Sequence, residues 1–301
     1  MAITVTPGLL KTQGITHLGS FQRGLGRAPT EHLAVAMVVR SSTGANEYGW
    51  LGKFPSVREW LGPRVVQNLK GFGYTIKNRD WELTIAVDRN DVEDDNTGLY
   101  APMFEEMGQS TSAKACQLVF DLLKNGFTTQ CYDGQFFFDT DHPVILEDGT
   151  DGTYSNSQGG SGAPWFLADL APNRAIRPII LQMRKDWKFV ARDSLTDDNV
   201  FDLKEFRYGA DARMNVGYGF PQMIIGSRQP LNATNYAAAY AALEGMKGDH
   251  GRPLGMKPTT LIAGPSNREA GAKLLTAELG ANGETNTWRG TAQLMVTPWL
   301  A

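Results

Sequence analysis

The sequence predicts an α+β fold, and three features of the 301-residue chain lead there. Apolar residues at spacings of three and four run through 99–125, a helical period. Alternation of period two marks 74–88, a strand period. Short strand-like and helix-like stretches then follow one another through the second half, with no repeat of fixed period.

Composition fits a soluble globular protein and excludes wholesale disorder, with 42% hydrophobic and 20% charged residues. The length favours two domains and a sizeable core. Two cysteines, Cys116 and Cys131, exclude a disulfide scaffold and are expected to stay reduced, as in a cytosol. No signal peptide and no membrane-spanning run is expected, because no stretch approaches 18 apolar residues. Net charge is −3, which does not mark a nucleic-acid binder. Its distribution is uneven: residues 1–78 carry nine Lys/Arg and three acids, net +6, leaving −9 on the other 223. Such asymmetry fits an arm that meets a partner of opposite sign, or chance clustering on solvated surfaces.

The elements follow in order. Gly8, Gly14, Gly19, Gly24, Gly26 and Pro29 interrupt every pattern in the first 45 residues, so this basic segment is expected to be an extended arm. Residues 33–39 are strand or helix, which periodicity does not decide. Ser56 and Glu59 form a capping box for a short helix that Pro63 ends. Residues 74–88 are expected to form a β-hairpin turning at Lys77-Asn78-Arg79-Asp80. Five acids between Asp88 and Asp95 lead into a long helix over 99–125, its apolar face carrying Leu99, Met103, Met107, Cys116, Val119, Phe120 and Leu123. Asn125-Gly126 stops it. Residues 147–162 are expected to be a polar linker, and 177–190 and 212–225 strands, the latter bent at Gly217 and Gly219. Asn232 caps an Ala-rich helix over 233–246, 259–263 is a buried strand, Ser266 and Glu269 box a helix to 279, and 293–297 is a closing strand.

Chemistry is sparse. Asp139, Asp141 and His142, with Asp133 nearby, place oxygen and imidazole ligands at metal-binding spacing. The same residues close turns, and the turn is the expectation here. No catalytic residue, metal or cofactor is expected: the chain has no G-x-S-x-G elbow and no phosphate-cradling glycine motif. His17, His32 and His250 are expected at the surface, and Cys116 in the core. Arg174, Arg177, Arg184, Lys185, Lys188 and Arg192, interleaved with Trp187 and Phe189, fit either a nucleic-acid contact or one charged strand face.

A series of short motifs runs along the chain: residues 48–55 (YGWLGKFP), 93–96 (EDDN), 100–102 (YAP) and 105–108 (EEMG). It continues in 131–135 (CYDGQ), 137–139 (FFD), 142–143 (HP), 218–220 (YGF) and 254–259 (LGMKPT), spanning nearly the whole chain. In these motifs and their order the chain resembles the major head subunits of Mu-like phages. The resemblance implies the HK97-like tailed-phage capsid fold. It implies an N-terminal arm at 1–45, an E-loop with its flanks at 46–90 and a peripheral domain at 91–230 with its spine helix at 97–126. An axial domain at 231–285 and a closing strand at 286–301 that returns to the peripheral domain complete it. It further implies hexamers and pentamers closing around double-stranded DNA, held without sequence specificity. Scaffold, protease, portal and head decoration proteins are the implied partners, with assembly in the bacterial cytoplasm and no membrane.

Two other readings stand beside it: a metal-dependent hydrolase using Asp139, Asp141 and His142, and a closed encapsulin-like compartment of the same fold enclosing enzymes. For a shell, the expected contacts between subunits are Trp50, Phe54 and Trp60, large apolar residues with little local cover, and Arg58 and Arg64 on the basic flank. Asp91, Asp94 and Asp95 are the expected acidic counterpart at the foot of the spine helix.

Overall fold

A computed structural model describes residues 4–51, 73–94, 99–280 and 283–301. The first element is a helix, α1 (Pro7–Arg27), where an extended arm was expected. Thr6 caps it by accepting from the Leu9 N–H at 3.2 Å, and Pro7 occupies the first turn, where its missing N–H costs nothing. A single turn, α2 (His32–Val35), leads into β1 (Ala36–Arg40). Then come β2 (Ala45–Glu47), β3 (Thr75–Lys77), β4 (Arg79–Asp88) and the short α3 (Arg89–Glu93), capped by the Asp88 carboxylate. The predicted long helix is α4 (Ala101–Lys124), closed by a 3-10 turn over Asn125–Phe127.

The glycines that break the pattern in the first 45 residues do not break α1. Gly24 faces Gly108 of α4, and a methyl at either position would overlap the opposing backbone, the Glu105 carbonyl in one case and the Phe21 carbonyl in the other. The two helices therefore lie with backbones in contact, and only glycine fits the crossing. α1 buries Leu10, Gln13, His17, Ser20, Phe21 and Gly24, a stripe at helical spacing. On α4 the phase of the buried face differs from expectation. Phe104, Met107, Ala115, Cys116, Val119, Phe120 and Leu123 are buried, whereas Leu99 and Met103 are exposed.

No hairpin forms over 74–88. β3 pairs with β2, and β4 pairs with a strand far along the chain. The switch is at Asn78, buried and fully engaged. Its amide donates to Ser41 Oγ (3.1 Å) and the Thr43 carbonyl (2.9 Å), and its Oδ1 accepts from Gln182 at 2.7 Å. These bonds pass the strand from one sheet to the next instead of folding it back.

The expected linker is structured. β5 (His142–Ile145) and β6 (Asp151–Tyr154) form a hairpin, followed by β7 (Ser157–Gly160) and β8 (Trp165–Ala168). Next are β9 (Ile179–Arg192), α5 (Asp198–Leu203), β10 (Glu205–Tyr218) and β11 (Ile224–Arg228). The chain ends through α6 (Ala233–Glu244), β12 (Thr260–Ala263), α7 (Arg268–Thr276) and β13 (Gln293–Val296). Asn232 caps α6 as its sequence predicts, accepting from the Asn235 N–H at 2.9 Å. The box at Ser266 is absent, because 265–267 winds as a 3-10 turn and α7 has no side-chain cap. Gly217 marks no bulge: a methyl there would overlap the Ile76 side chain, and the register shifts of β10 lie at Asp211, Arg213 and Met214.

Two main sheets result. One has the order β1-β9-β10-β4, its 14-residue strands β9 and β10 forming a long antiparallel hairpin with α4 across one face. The other has the order β13-β12-β8-β11-β7; its central β8 and β12 are buried on both faces and read as continuous apolar runs. The expected closing strand, β13, pairs with β12 in this second sheet, and only the last turn, Pro298–Leu300, returns to the spine helix.

Gly24→Ala or Gly108→Ala should force the two helices apart and lower stability by about 1–3 kcal/mol, as overpacking does. Gly26→Ala, in the same helix with open space around it, should be neutral or stabilising by up to about 1 kcal/mol. Denaturant midpoints of the three variants test the contrast.

Candidate assembly interface

The residues that carry the hydrolase alternative do not come together. His142 opens β5 fully buried, with Nδ1 2.7 Å from Asp133 Oδ2 and Nε2 3.2 Å from Asn156 Oδ1. The Asn156 amide is fixed by its other bonds: Nδ2 donates to the carbonyls of Phe137 (2.8 Å) and Pro221 (3.2 Å). Its Oδ1 must then face His142, so both imidazole nitrogens meet oxygen acceptors, and a proton lies in the Asp133–His142 contact. Burial alone would raise the Asp133 carboxyl. Hydrogen bonds from His142, Cys131 and the Gln135 N–H outweigh it and hold the group below its usual value. Burial and donation to Asp133 push the Cys131 thiol up. Tyr154 stacks on the imidazole at 4.9 Å.

Cys131, Asp133 and His142 each offer a ligand atom, all within 4.8 Å of one another. Those atoms already satisfy one another as a closed hydrogen-bonded knot that ties β5 to the turn after α4. Asp139 serves the turn itself, accepting from the N–H groups of Phe136 (3.2 Å) and Thr140 (2.8 Å), and Asp141 is exposed.

The residues expected at contacts between subunits lie elsewhere. At the N-terminal end of α4, α3 and α5 lie side by side, tied by the Arg89 N–H donating to the Lys204 carbonyl at 2.8 Å. α3 carries Asp91 and ends at Asp94, and α5 carries Asp198 and Asp202 and starts after Asp197, so both short helices are acidic. Asp91 is bonded by Tyr100, whose hydroxyl that bond raises to about 12. Large apolar side chains are exposed on these segments: Leu99 and Met103 at the start of α4, and Phe201, 87% exposed, and Leu203, 55% exposed, on α5. Sequence reasoning missed α5. Its signal is two acids and an apolar Val-Phe pair within six residues of the connection 193–204 between β9 and β10.

Of the apolar residues expected at the interface, Trp50 is partly covered by its own chain, 6.0 Å from Tyr48 and 5.7 Å from Phe220, ring to ring. Phe54, Arg58, Trp60, Arg64 and Asp95 lie outside the described residues, as does the Ser56 capping box. The basic run 174–192 is no single binding face. Arg174 pairs with buried Asp169 at 2.9 Å, Arg177 bonds the Ala171 carbonyl, and Lys185 pairs with Asp211. Phe189 turns inward against Phe21, Phe104 and Tyr208. His17 and His32 are buried instead of exposed, each against α4, and Cys116 is buried as expected. Among the described residues no helix is long and apolar enough to cross a membrane.

The family model for the Mu-like prophage major head subunit gpT matches residues 11–300. The chain belongs to that family. It is 42% identical to the major capsid protein of Escherichia phage Mu, covering 98% of this chain and 99% of that protein. It is 39% identical to the Mu-like prophage FluMu major head subunit of Haemophilus influenzae, covering 92% of each. Among solved structures, it is similar to the subunit of the bacteriophage JBD30 procapsid, with a TM-score of 0.88, 40% identity, and coverage of 98% of this chain and 100% of that one. The subunit of the JBD30 capsid gives a TM-score of 0.77 at 34% identity, over 93% and 94%. The fold is thus the HK97-like capsid fold, and the gpT family is one of structural head subunits, not enzymes.

His142→Ala leaves a buried carboxylate without its partner and should cost about 3–5 kcal/mol in chemical denaturation. The stabilisation of Asp133 is present above the usual carboxylate range and is lost as pH falls through its depressed folded value. The gap between wild type and His142→Ala should therefore narrow in acid.

Proposed function

We propose that copies of this chain assemble as hexamers and pentamers into an icosahedral head that encloses double-stranded DNA. The observation that carries this reading is the family match over 11–300, joined to likeness along the full length of a procapsid subunit. Scaffold, protease, portal and head decoration proteins are the partners proposed with it, and the host cytoplasm the site of assembly. The arm is α1 with α2, the E-loop lies between β2 and β4, and the peripheral unit is α4 with the four-stranded sheet. The axial unit takes α6, α7 and the five-stranded sheet. A net charge of −3 suits a wall facing packaged DNA, since a strongly basic wall would hold the phosphates.

The acidic, apolar-studded end formed by α3 and α5 is the proposed contact for a second copy. Its counterpart is the basic segment 53–79, where Lys53, Arg58, Arg64, Lys70, Lys77 and Arg79 stand against Glu59 and Phe54 and Trp60 supply apolar area. Exposed pairs contribute about 0–1 kcal/mol each, so charge sets register and encounter rate while apolar burial holds the contact.

Light scattering of assembling protein should show early association slowing as salt rises, and slowing again in the Arg58→Glu/Arg64→Glu variant. Completed shells should change little. Electron microscopy should find closed shells from the wild type. A monodisperse monomer would overturn the reading, and assembly indifferent to salt and reversal would overturn the charge contact.

A further inference from the structure

The N-terminal strap, α1 and α2, meets α4 at three points. His17 stacks on Phe104 with centroids 3.9 Å apart, Gly24 lies on Gly108, and His32 Nδ1 sits 3.0 Å from Cys116 Sγ. Two of the four histidines in the chain therefore lie beneath one strap, on either side of its backbone crossing. Both are buried, 3% and 8% exposed. The His17 Nδ1 has no hydrogen-bond partner, nor has the buried Gln13 Oε1 one turn away.

The groups around His17 offer an imidazolium little, whereas His32 follows Glu31, whose Oε2 is buried without a hydrogen-bond partner. Against His17 stand Phe104 from α4 and Tyr208 from β10, 5.0 Å away edge-on. The nearest carboxyl in this packing is Asp193, after β9, which is bonded to Tyr208 and raised above its usual value chiefly by burial. Around His32 stand the Cys116 thiol, the Pro29 carbonyl that this thiol reaches at 3.2 Å, and neighbouring Glu31. Arg23 and Arg27 pair with Glu105 on α4 and add positive charge to the same strap.

We propose that the strap is an acid-released clasp: residues 7–35 dock on the spine helix only while His17 and His32 are neutral, and protonation detaches them. Burial lowers both groups from 6.5, His17 to about 4. A base lowered by docking leaves docking undiminished above its ordinary value and weakens it as pH falls below. For His17 alone the weakening is up to tenfold per pH unit, with a limit of roughly 300-fold reached below about 4.

Cys116 reports the state of the clasp, because it is covered by Pro29 and His32. The test is its reaction with a pyridyl disulfide that works in acid, on the unassembled full-length chain. Rates are normalised to free cysteine at each pH, and Cys131 is followed by mass spectrometry in the same sample. From about pH 7 to about pH 4.5 the Cys116 rate should climb tens-fold or more while Cys131 stays protected. Gly108→Ala, which wedges the crossing open, should give the high rate already at neutral pH. His17→Phe/His32→Leu should flatten the profile. A flat wild-type profile, an unchanged climb in the double variant, or Cys131 rising together with Cys116 would each overturn the proposal.

Discussion

The backbone-to-backbone crossing of α1 on α4 fixes the geometry of one whole end of the molecule. With no side chain between Gly24 and Gly108, α1 lies flush along the spine helix. Phe21 then reaches Phe189 at 5.3 Å, and His17, Phe104 and Tyr208 close into one ring cluster over the long β9–β10 hairpin. Further along the same helix, Val119, Phe120 and Leu123 pack into the main core, and Lys124 Nζ donates to the Ala301 carbonyl at 2.6 Å. Both ends of the chain thus rest on one helix. A helix of 24 residues, roughly 36 Å long, takes most of its stability from what covers its faces, so the two chain ends help keep it straight and single.

What could be read from residues alone follows from this. Long periodic signals carried through: α4, α6, β9, β12 and β13 lie within a few residues of their expected places, because local pattern and tertiary environment agree there. The failures share a cause. Gly24 looks like a helix breaker in one dimension and is a helix contact in three, since its partner, Gly108, is 84 positions away. Asn78 looks like a hairpin turn, yet its bonds to Ser41, Thr43 and Gln182 make it a crossing between sheets. His17 looks like a surface residue in a basic arm until Phe104 and Tyr208 are placed around it. The proposed contact was half legible: the Asp91–Asp94 run stands out in sequence, but the backbone bond from Arg89 to Lys204 that ties the start of α3 to the end of α5 is one that no spacing reveals.

The cores differ in kind as well as place. The one under α6 and α7 is built from Trp165, Leu167, Ile225, Tyr236, Leu243 and Leu261, and its central strands are covered on both faces. The Asp133–His142 knot adds polar bonds that satisfy one another. The seam under α1 is different, with Gln13, His17 and Ser20 making up half of its six buried residues. Polar groups buried without partners forfeit their hydration, so each Å² of this seam holds less tightly than the apolar core. Gln13 and His17 are such groups in the strap's seam.

That contrast suits a subunit whose surroundings change. A chain that must stand alone gains from covering every apolar side chain. This one leaves Phe201, Leu203, Leu99 and Met103 exposed. In the contact proposed above, a surface of opposite charge and matching apolar area covers such side chains, and each copy would carry both halves. The five-stranded sheet with its helices has an apolar core covered on both faces of its central strands. The strap and the acidic helices lie outside that core, so the clasp and the contact proposed above would act without disturbing it.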